Sequence, residues 1–291
     1  MQKELNWTPL WPTKAPGGKV PPTGTEQFRD GHLYQIERPE YDLHLASKPN
    51  GAGIILFPGG GYRLIALNNE GETMARFLNE LGFSVMIAKY RIDHENIYDY
   101  QFPAPLLDAR RAIRTMRHNS EAWGINKNEI GIMGFSAGGH LAGMASTLFT
   151  ENFAEETNDA IDHESPRPDF SILCYPVIDM SHDFKHAGSA EHLTRGIPTL
   201  EQKLSLQHQV SEQTPPTLIF HSADDEPVPV KNSFVYAEAC IAKKVPTTMH
   251  IFSGGGHGYS LTDEGDHSHW PELLKQWLEL KQWQRDAHSQ T

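Results

Sequence analysis

The sequence predicts an α/β fold built on a mostly parallel central sheet with helices on both faces. Three observations lead there. From Leu33 onward, apolar β-rich runs alternate with stretches of helical period, the pattern of strands joined by crossover helices. At 291 residues and 38% hydrophobic content, the chain can bury one large core. No internal repeat divides it, so residues 1–291 read as a single domain.

Residues 1–32 carry Pro9, Pro12, Pro16, Pro21 and Pro22 and are expected as an extended segment over the surface, because each proline fixes φ and removes a backbone donor. Strands are expected at Gly53–Phe57, Ser84–Ala88, Glu129–Phe135, Phe170–Tyr175, Thr217–His221 and Thr247–Phe252. Helical period fits Gly71–Leu81, Pro105–His118, Gly138–Phe149, Lys231–Ala242 and Pro271–Gln282. Trp270, Trp277 and Trp283 recur at near-heptad spacing and read as the buried face of the last helix, and Trp123 reads as core. The polar, His- and Glu-rich interval 181–213 breaks the alternation and is expected as a small cap-like insertion over one sheet edge. In such a sheet, loops at the carboxyl ends of several strands converge on one crevice.

The sharpest chemical signal is Gly134-Phe135-Ser136-Ala137-Gly138, a G-x-S-x-G between the strand run EIGIMGF and the helix-like HLAGMASTLF. That context is the nucleophile elbow of the α/β-hydrolase fold, where the serine sits on a strained strand-to-helix turn and only small neighbours fit. A serine hydroxyl is a weak nucleophile at neutral pH and needs a histidine held in the right tautomer by a carboxylate. In this fold they follow in the order serine, acid, histidine. Asp224 and Asp225 both come directly after the strand run TLIF and can each supply the acid, the other being a solvated loop charge. The last strand runs into SGGGHGYS, which places His257 on a glycine-rich loop as general base.

The run ILFPGGGYR offers the N–H groups of Gly60 and Gly61, joined by that of Ala137, as an oxyanion hole. It lacks the Gly-Lys-Ser/Thr ending of a P-loop and the spacing of a dinucleotide site. Tyr62 and Tyr259 border these loops and are expected to line the substrate mouth. His140 reads as a helix-packing residue. His163, His182, His186, His192, His267 and His269 lack the order and spacing of a zinc site and are assigned no chemistry. The expected chemistry requires no metal or organic cofactor.

A net charge of −12, from 25 Lys+Arg against 37 Asp+Glu, argues against nucleic-acid and anionic-membrane partners. No run approaches the ~20 apolar residues of a membrane span, and the N-terminus lacks the form of a signal peptide. The expectation is a soluble protein, cytoplasmic if residue 1 is the native start and secreted or periplasmic if a leader has been removed. Cys174 and Cys240 lie in apolar runs and read as buried free thiols.

Matching segments across most of the chain resemble bacterial α/β-hydrolase esterases of the acetyl xylan esterase or carbohydrate acetylesterase type. They include PGGGYRLIALNNEGE, KYRI, FPAPLLDARRAIRTMR, GINKNEIGIMGFSAGGHLA, RPDFSILCYPVI, TPPTLIFHSADDEPVPVKNS and GGGHGYS. The D-x-x-V-P that opens at Asp225 resembles the usual surroundings of the acid in such enzymes, which favours Asp225 over Asp224. The resemblance implies Ser136, Asp225 and His257 as triad, the 59–61 turn with Ala137 as oxyanion support, and removal of a short acyl group, chiefly acetyl, from a carbohydrate or small-molecule ester. Pro58 departs from the H-G-G-G of lipases and leaves the choice among Gly59, Gly60 and Gly61 open. Three rivals rank lower. A serine peptidase of this fold usually adds a propeller or large cap, a non-catalytic receptor usually lacks a triad member, and a lipase predicts an apolar lid where 181–213 is polar.

Overall fold

The computed structural model describes residues 6–16, 26–92, 101–153 and 159–281. Its strands are β1 (Thr8–Pro9), β2 (Gln27–Arg29), β3 (His32–Tyr34), β4 (Glu40–His44), β5 (Gly53–Phe57), β6 (Leu64–Ala66), β7 (Ser84–Lys89), β8 (Ile130–Phe135), β9 (Phe170–Cys174), β10 (Thr217–Ser222) and β11 (Thr247–Phe252). The helices are α1 (Met74–Glu80), entered through a π-helical turn at Asn68–Thr73, then α2 (Ala104–His118), α3 (Ala137–Thr147), α4 (Ala187–Thr194), α5 (Pro198–Lys203), α6 (Lys231–Ala242) and α7 (Trp270–Glu279). An eight-stranded sheet runs β1-β4-β7-β5-β8-β9-β10-β11. It is parallel from β7 to β11 and antiparallel at the β1–β4 and β4–β7 pairs. β2, β3 and β6 form a small separate sheet.

Successive side chains of a strand point to opposite faces, so register assigns the covering helices. Gly53 and Gly134 face α2 and α3, since a Cβ added there would meet Met116 at 2.6 Å and Ala142 at 2.8 Å. His221 reaches Ser233 of α6 on that same face. On the other face Phe170 and Phe220 pack against Trp277 and Trp270 of α7, and Gly71, leading into α1, packs beneath Ile87. Helices therefore cover both faces, around one buried cluster that runs from Leu10 to Leu278. Trp270 and Trp277 are the buried face of α7, while Trp283, Gln282, Pro21 and Pro22 lie outside the described residues.

Two expectations change. The N-terminal segment does not only wrap the surface. β1 pairs with β4, Leu10 and Trp11 are buried, and Trp11 Nε1–H donates to Asp108 Oδ1 at 3.0 Å. That carboxylate also takes the Arg91 guanidinium in two bonds of 2.8 and 2.9 Å, wholly inside the protein. The 181–213 insertion, moreover, covers no sheet edge, since the edges are β1 and β11. It contains α4 and α5 and packs on α3, where Leu206 fills the space a Cβ at Gly143 would need. Its buried Leu204 and Leu206 hold it on the helix that follows Ser136.

Candidate active site

The turn from β8 to α3 puts Ser136 at φ 53°, ψ −119°. Such a conformation persists only where neighbours over-determine it. Here Ser136 N–H donates to Cys174 O at 2.9 Å, and Ser136 O accepts from the N–H groups of His140 and Val177, both at 3.1 Å. The small neighbours are obligatory: a Cβ at Gly134 would lie 2.1 Å from Gly138 O, and one at Gly138 would lie 2.0 Å from Phe57 O.

Asp225 follows β10 and His257 follows β11, so three strand ends converge. Ser136 Oγ–H donates to His257 Nε2 at 2.8 Å, and His257 Nδ1–H donates to Asp225 Oδ2 at 2.7 Å. Asp225 Oδ1 accepts from Val228 N–H at 2.9 Å, and His221 Nε2 lies 3.1 Å from Oδ2. Burial works to raise the Asp225 carboxyl, but the bonds from His221 and His257, with the His257 charge, outweigh it and hold the group below the usual carboxylate range. Asp224 is exposed, yet it is not a free loop charge. It accepts from Gly256 N–H at 2.9 Å and Gly255 N–H at 3.4 Å, steadying the loop that carries His257.

Gly59 N–H is committed to Glu70 Oε2 at 2.5 Å. Gly60 sits at φ 132° and Gly61 at φ 66°. Among the described residues no protein acceptor takes the N–H of Gly60, Gly61 or Ala137. Glu70 also accepts from Tyr175 OH at 3.0 Å, and the Tyr175 ring meets His257 edge-on at 5.0 Å. Burial raises the Glu70 carboxyl, opposed by the Gly59 N–H, the Tyr175 hydroxyl and the His257 charge.

A profile of the BD-FAE family matches residues 42–239. The chain belongs to the BD-FAE family. It is 34% identical over 219 residues to endo-1,4-beta-xylanase B of Butyrivibrio fibrisolvens, covering 75% of this chain and 34% of that protein. It is 34% identical over 221 residues to the acetylxylan esterase of Xylanibacter ruminicola, covering 74% and 42%. The BD-FAE chain thus matches less than half the length of either curated relative. Among solved structures, the acetyl ester-xyloside bifunctional hydrolase of Caldicellulosiruptor lactoaceticus superposes at a TM-score of 0.82 with 36% identity, over 96% of this chain and 97% of that one. The BD-FAE chain has the α/β-hydrolase fold.

Two residues are not where the sequence reading of this BD-FAE chain put them. Tyr62 is 1% exposed and donates its hydroxyl inward to His140 Nδ1 at 2.9 Å. Tyr259 is 4% exposed and packs inward against Tyr175, Phe252 and Trp270, its ring 4.8 Å from that of Tyr175. Neither lines an opening. Conversely, two histidines assigned no chemistry stand against the glycine turn at 59–61. His192 Nδ1–H donates to Gly61 O at 3.0 Å. His186 caps α4 through its Nδ1, which accepts from Ser189, and its Cε1 is the atom nearest to where a Gly61 Cβ would stand. Burial, then the charges of His257 and His192, hold the His186 pKa below its ordinary value. Glu70 was also missed, although its NNEGE run was among the segments carrying the family resemblance. No local signal marks His192, whose partner is 131 residues away in the chain.

Proposed function

We propose that this BD-FAE chain is a serine carboxylester hydrolase that removes short acyl groups, acetyl first, from carbohydrate hydroxyls such as those of acetylated xylan or xylo-oligosaccharides. The observation that carries the reading is the unbroken relay from Ser136 Oγ through His257 to Asp225 beside three amides that have no protein acceptor among the described residues. His257 takes the Ser136 proton as Oγ attacks the ester carbonyl, and the N–H groups of Gly60, Gly61 and Ala137 hold the resulting oxyanion. The bond to the sugar oxygen breaks, His257 returns the proton to that oxygen, and the acetyl group stays on Ser136. Water then loses a proton to His257 and attacks the acyl carbon. Acetate leaves as Oγ recovers its proton from His257. The carbohydrate half of the proposal is supported by what the relatives and the structural neighbour are named for.

The test is acetate release from acetylated xylo-oligosaccharides, with p-nitrophenyl acetate and butyrate alongside and Ser136→Ala as control. Release that vanishes in the variant supports the proposal. Turnover of the nitrophenyl esters alone keeps the serine mechanism and replaces the carbohydrate substrate with a small-molecule ester. Activity unchanged in Ser136→Ala sinks the proposal entirely.

A further inference from the structure

We infer that His221 is a positioning residue of the catalytic relay: it gives Asp225 a second imidazole N–H and thereby holds the carboxylate on His257. The inference rests on the esterase reading above. His221 is the penultimate residue of β10, four positions before Asp225, and is fully buried. Its Nε2 lies 3.1 Å from Asp225 Oδ2 and 2.9 Å from Val228 O. Both are acceptors, so Nε2 carries the hydrogen. Its Nδ1 lies 2.7 Å from Ser233 Oγ on α6, also fully buried. With the hydrogen on Nε2, Nδ1 is a lone pair and the Ser233 hydroxyl donates into it.

The consequence falls on Asp225. A carboxylate oxygen offers two lone pairs. On Oδ2 one lone pair takes His257 Nδ1–H and the other shares the His221 Nε2 hydrogen with Val228 O, while Oδ1 is held by Val228 N–H. Rotating the carboxylate away from His257 would break the contacts to His221 and Val228 as well. By sharing Oδ2, His221 also disperses part of the carboxylate charge that faces His257, whose ring further meets Tyr175, itself bonded to the Glu70 carboxyl, and lies close enough to His186 for the two charges to oppose each other. The chain α6–Ser233–His221–Asp225–His257 thus ties the general base to the sheet's covering helix. Asp224 steadies the backbone of the glycine-rich loop that carries His257, and the His221 contact adds a hold on the ring itself through Asp225.

The experiment measures kcat and KM for p-nitrophenyl acetate between pH 5 and 9 in the wild type, His221→Leu, His221→Gln and Ser233→Ala, with thermal melting of each. His221→Leu removes the N–H. Its kcat should fall about tenfold or more with KM within about twofold, and the acid limb should move to higher pH by about 0.5–1. His221→Gln, whose amide N–H reaches the Nε2 position, should recover kcat to within about threefold of wild type. Ser233→Ala should move the limb in the same direction by less. A folded His221→Leu with the wild-type kcat and acid limb overturns the inference, as does a Gln variant no better than Leu. If the Leu variant does not fold, an unmoved limb in Ser233→Ala overturns it instead. Failure here with Ser136→Ala inactive leaves the esterase reading standing, whereas an active Ser136→Ala removes both.

Discussion

Lowering the pH from 7 to 4.5 should weaken the fold through His140. The ring is fully buried behind the glycine turn at 59–61; Nδ1 accepts from Tyr62 OH at 2.9 Å, and Nε2–H donates to Leu204 O at 2.8 Å. Both nitrogens are satisfied in the neutral form, so a proton adds an unpaired charge away from water. Burial pulls the pKa down to about 4, against the opposing pull of the Leu204 carbonyl and the Asp179 charge. Above about pH 6.5 the group is neutral in both states and adds no pH dependence. Between there and pH 4 the unfolded chain binds a proton that the native state refuses, so stability falls by about 1.4 kcal/mol per pH unit, about 3 kcal/mol in all, and this group costs nothing more below that. Urea unfolding at the two pH values, in wild type and in His140→Gln, isolates the effect. The Gln variant keeps a donor toward Leu204 but does not titrate, and every other acid-sensitive group is common to both. The wild type should lose about 2.5 kcal/mol more than the variant. Equal losses would refute the assignment of this acid sensitivity to His140.

Asp225→Asn should lower kcat for p-nitrophenyl acetate by about 10⁴ with little change in KM, because an amide leaves His257 in the wrong tautomer; a loss under tenfold would contradict the relay. Gly138→Ala drives a Cβ to 2.0 Å from the Phe57 carbonyl, a backbone atom that cannot step aside. It should cost about 1–3 kcal/mol or more and be visible as a lowered melting temperature. Asp108→Ala removes the buried carboxylate that takes the Arg91 guanidinium in two bonds and the Trp11 Nε1–H in a third, and the urea midpoint should fall by the equivalent of about 3–5 kcal/mol.

Much of the fold is legible because local chemistry and tertiary role agree. β5, α6 and β11 carry their predicted ends unchanged, since Gly53, Pro246 and the glycines after Phe252 punctuate them. Tyr175 departs from its predicted strand: it turns to φ 36°, which is what lays its ring against His257. Only the assembled site requires that turn. β1, β2, β3 and β6 are two or three residues long, too short for a period to show. In the site, Ser136 and His257 sit on motifs whose chemistry is local. Asp225 and Asp224 both follow β10, and their different tasks arise from which loop each one meets. The tyrosines were misplaced because adjacency to a loop does not say which way a ring points. At Tyr62 a φ of 57° turns it inward onto His140.

Under the esterase reading, the insertion behaves as a fixed wall of the site rather than a lid that swings. Leu193, Leu204 and Leu206 are buried, and exposing each would cost roughly 1.5–3 kcal/mol. Opening would also break the Leu204 bond to His140, the His192 bond to Gly61 and the Met180 N–H bond to Ser205 Oγ at 3.1 Å. These losses fall together, because Tyr62, His140 and Leu204 link the oxyanion loop, the helix behind Ser136 and the insertion in one hydrogen-bonded line. A wall so held limits the size of the group that can lie beside Gly61, which favours a short acyl chain. It also places a polar ring there: Ser189 occupies His186 Nδ1, so the imidazole hydrogen lies on Nε2, and its Cε1 stands beside Gly61. A lipase surface would put apolar side chains at that place, so the polarity that separates this insertion from a lipase lid has its physical counterpart in α4.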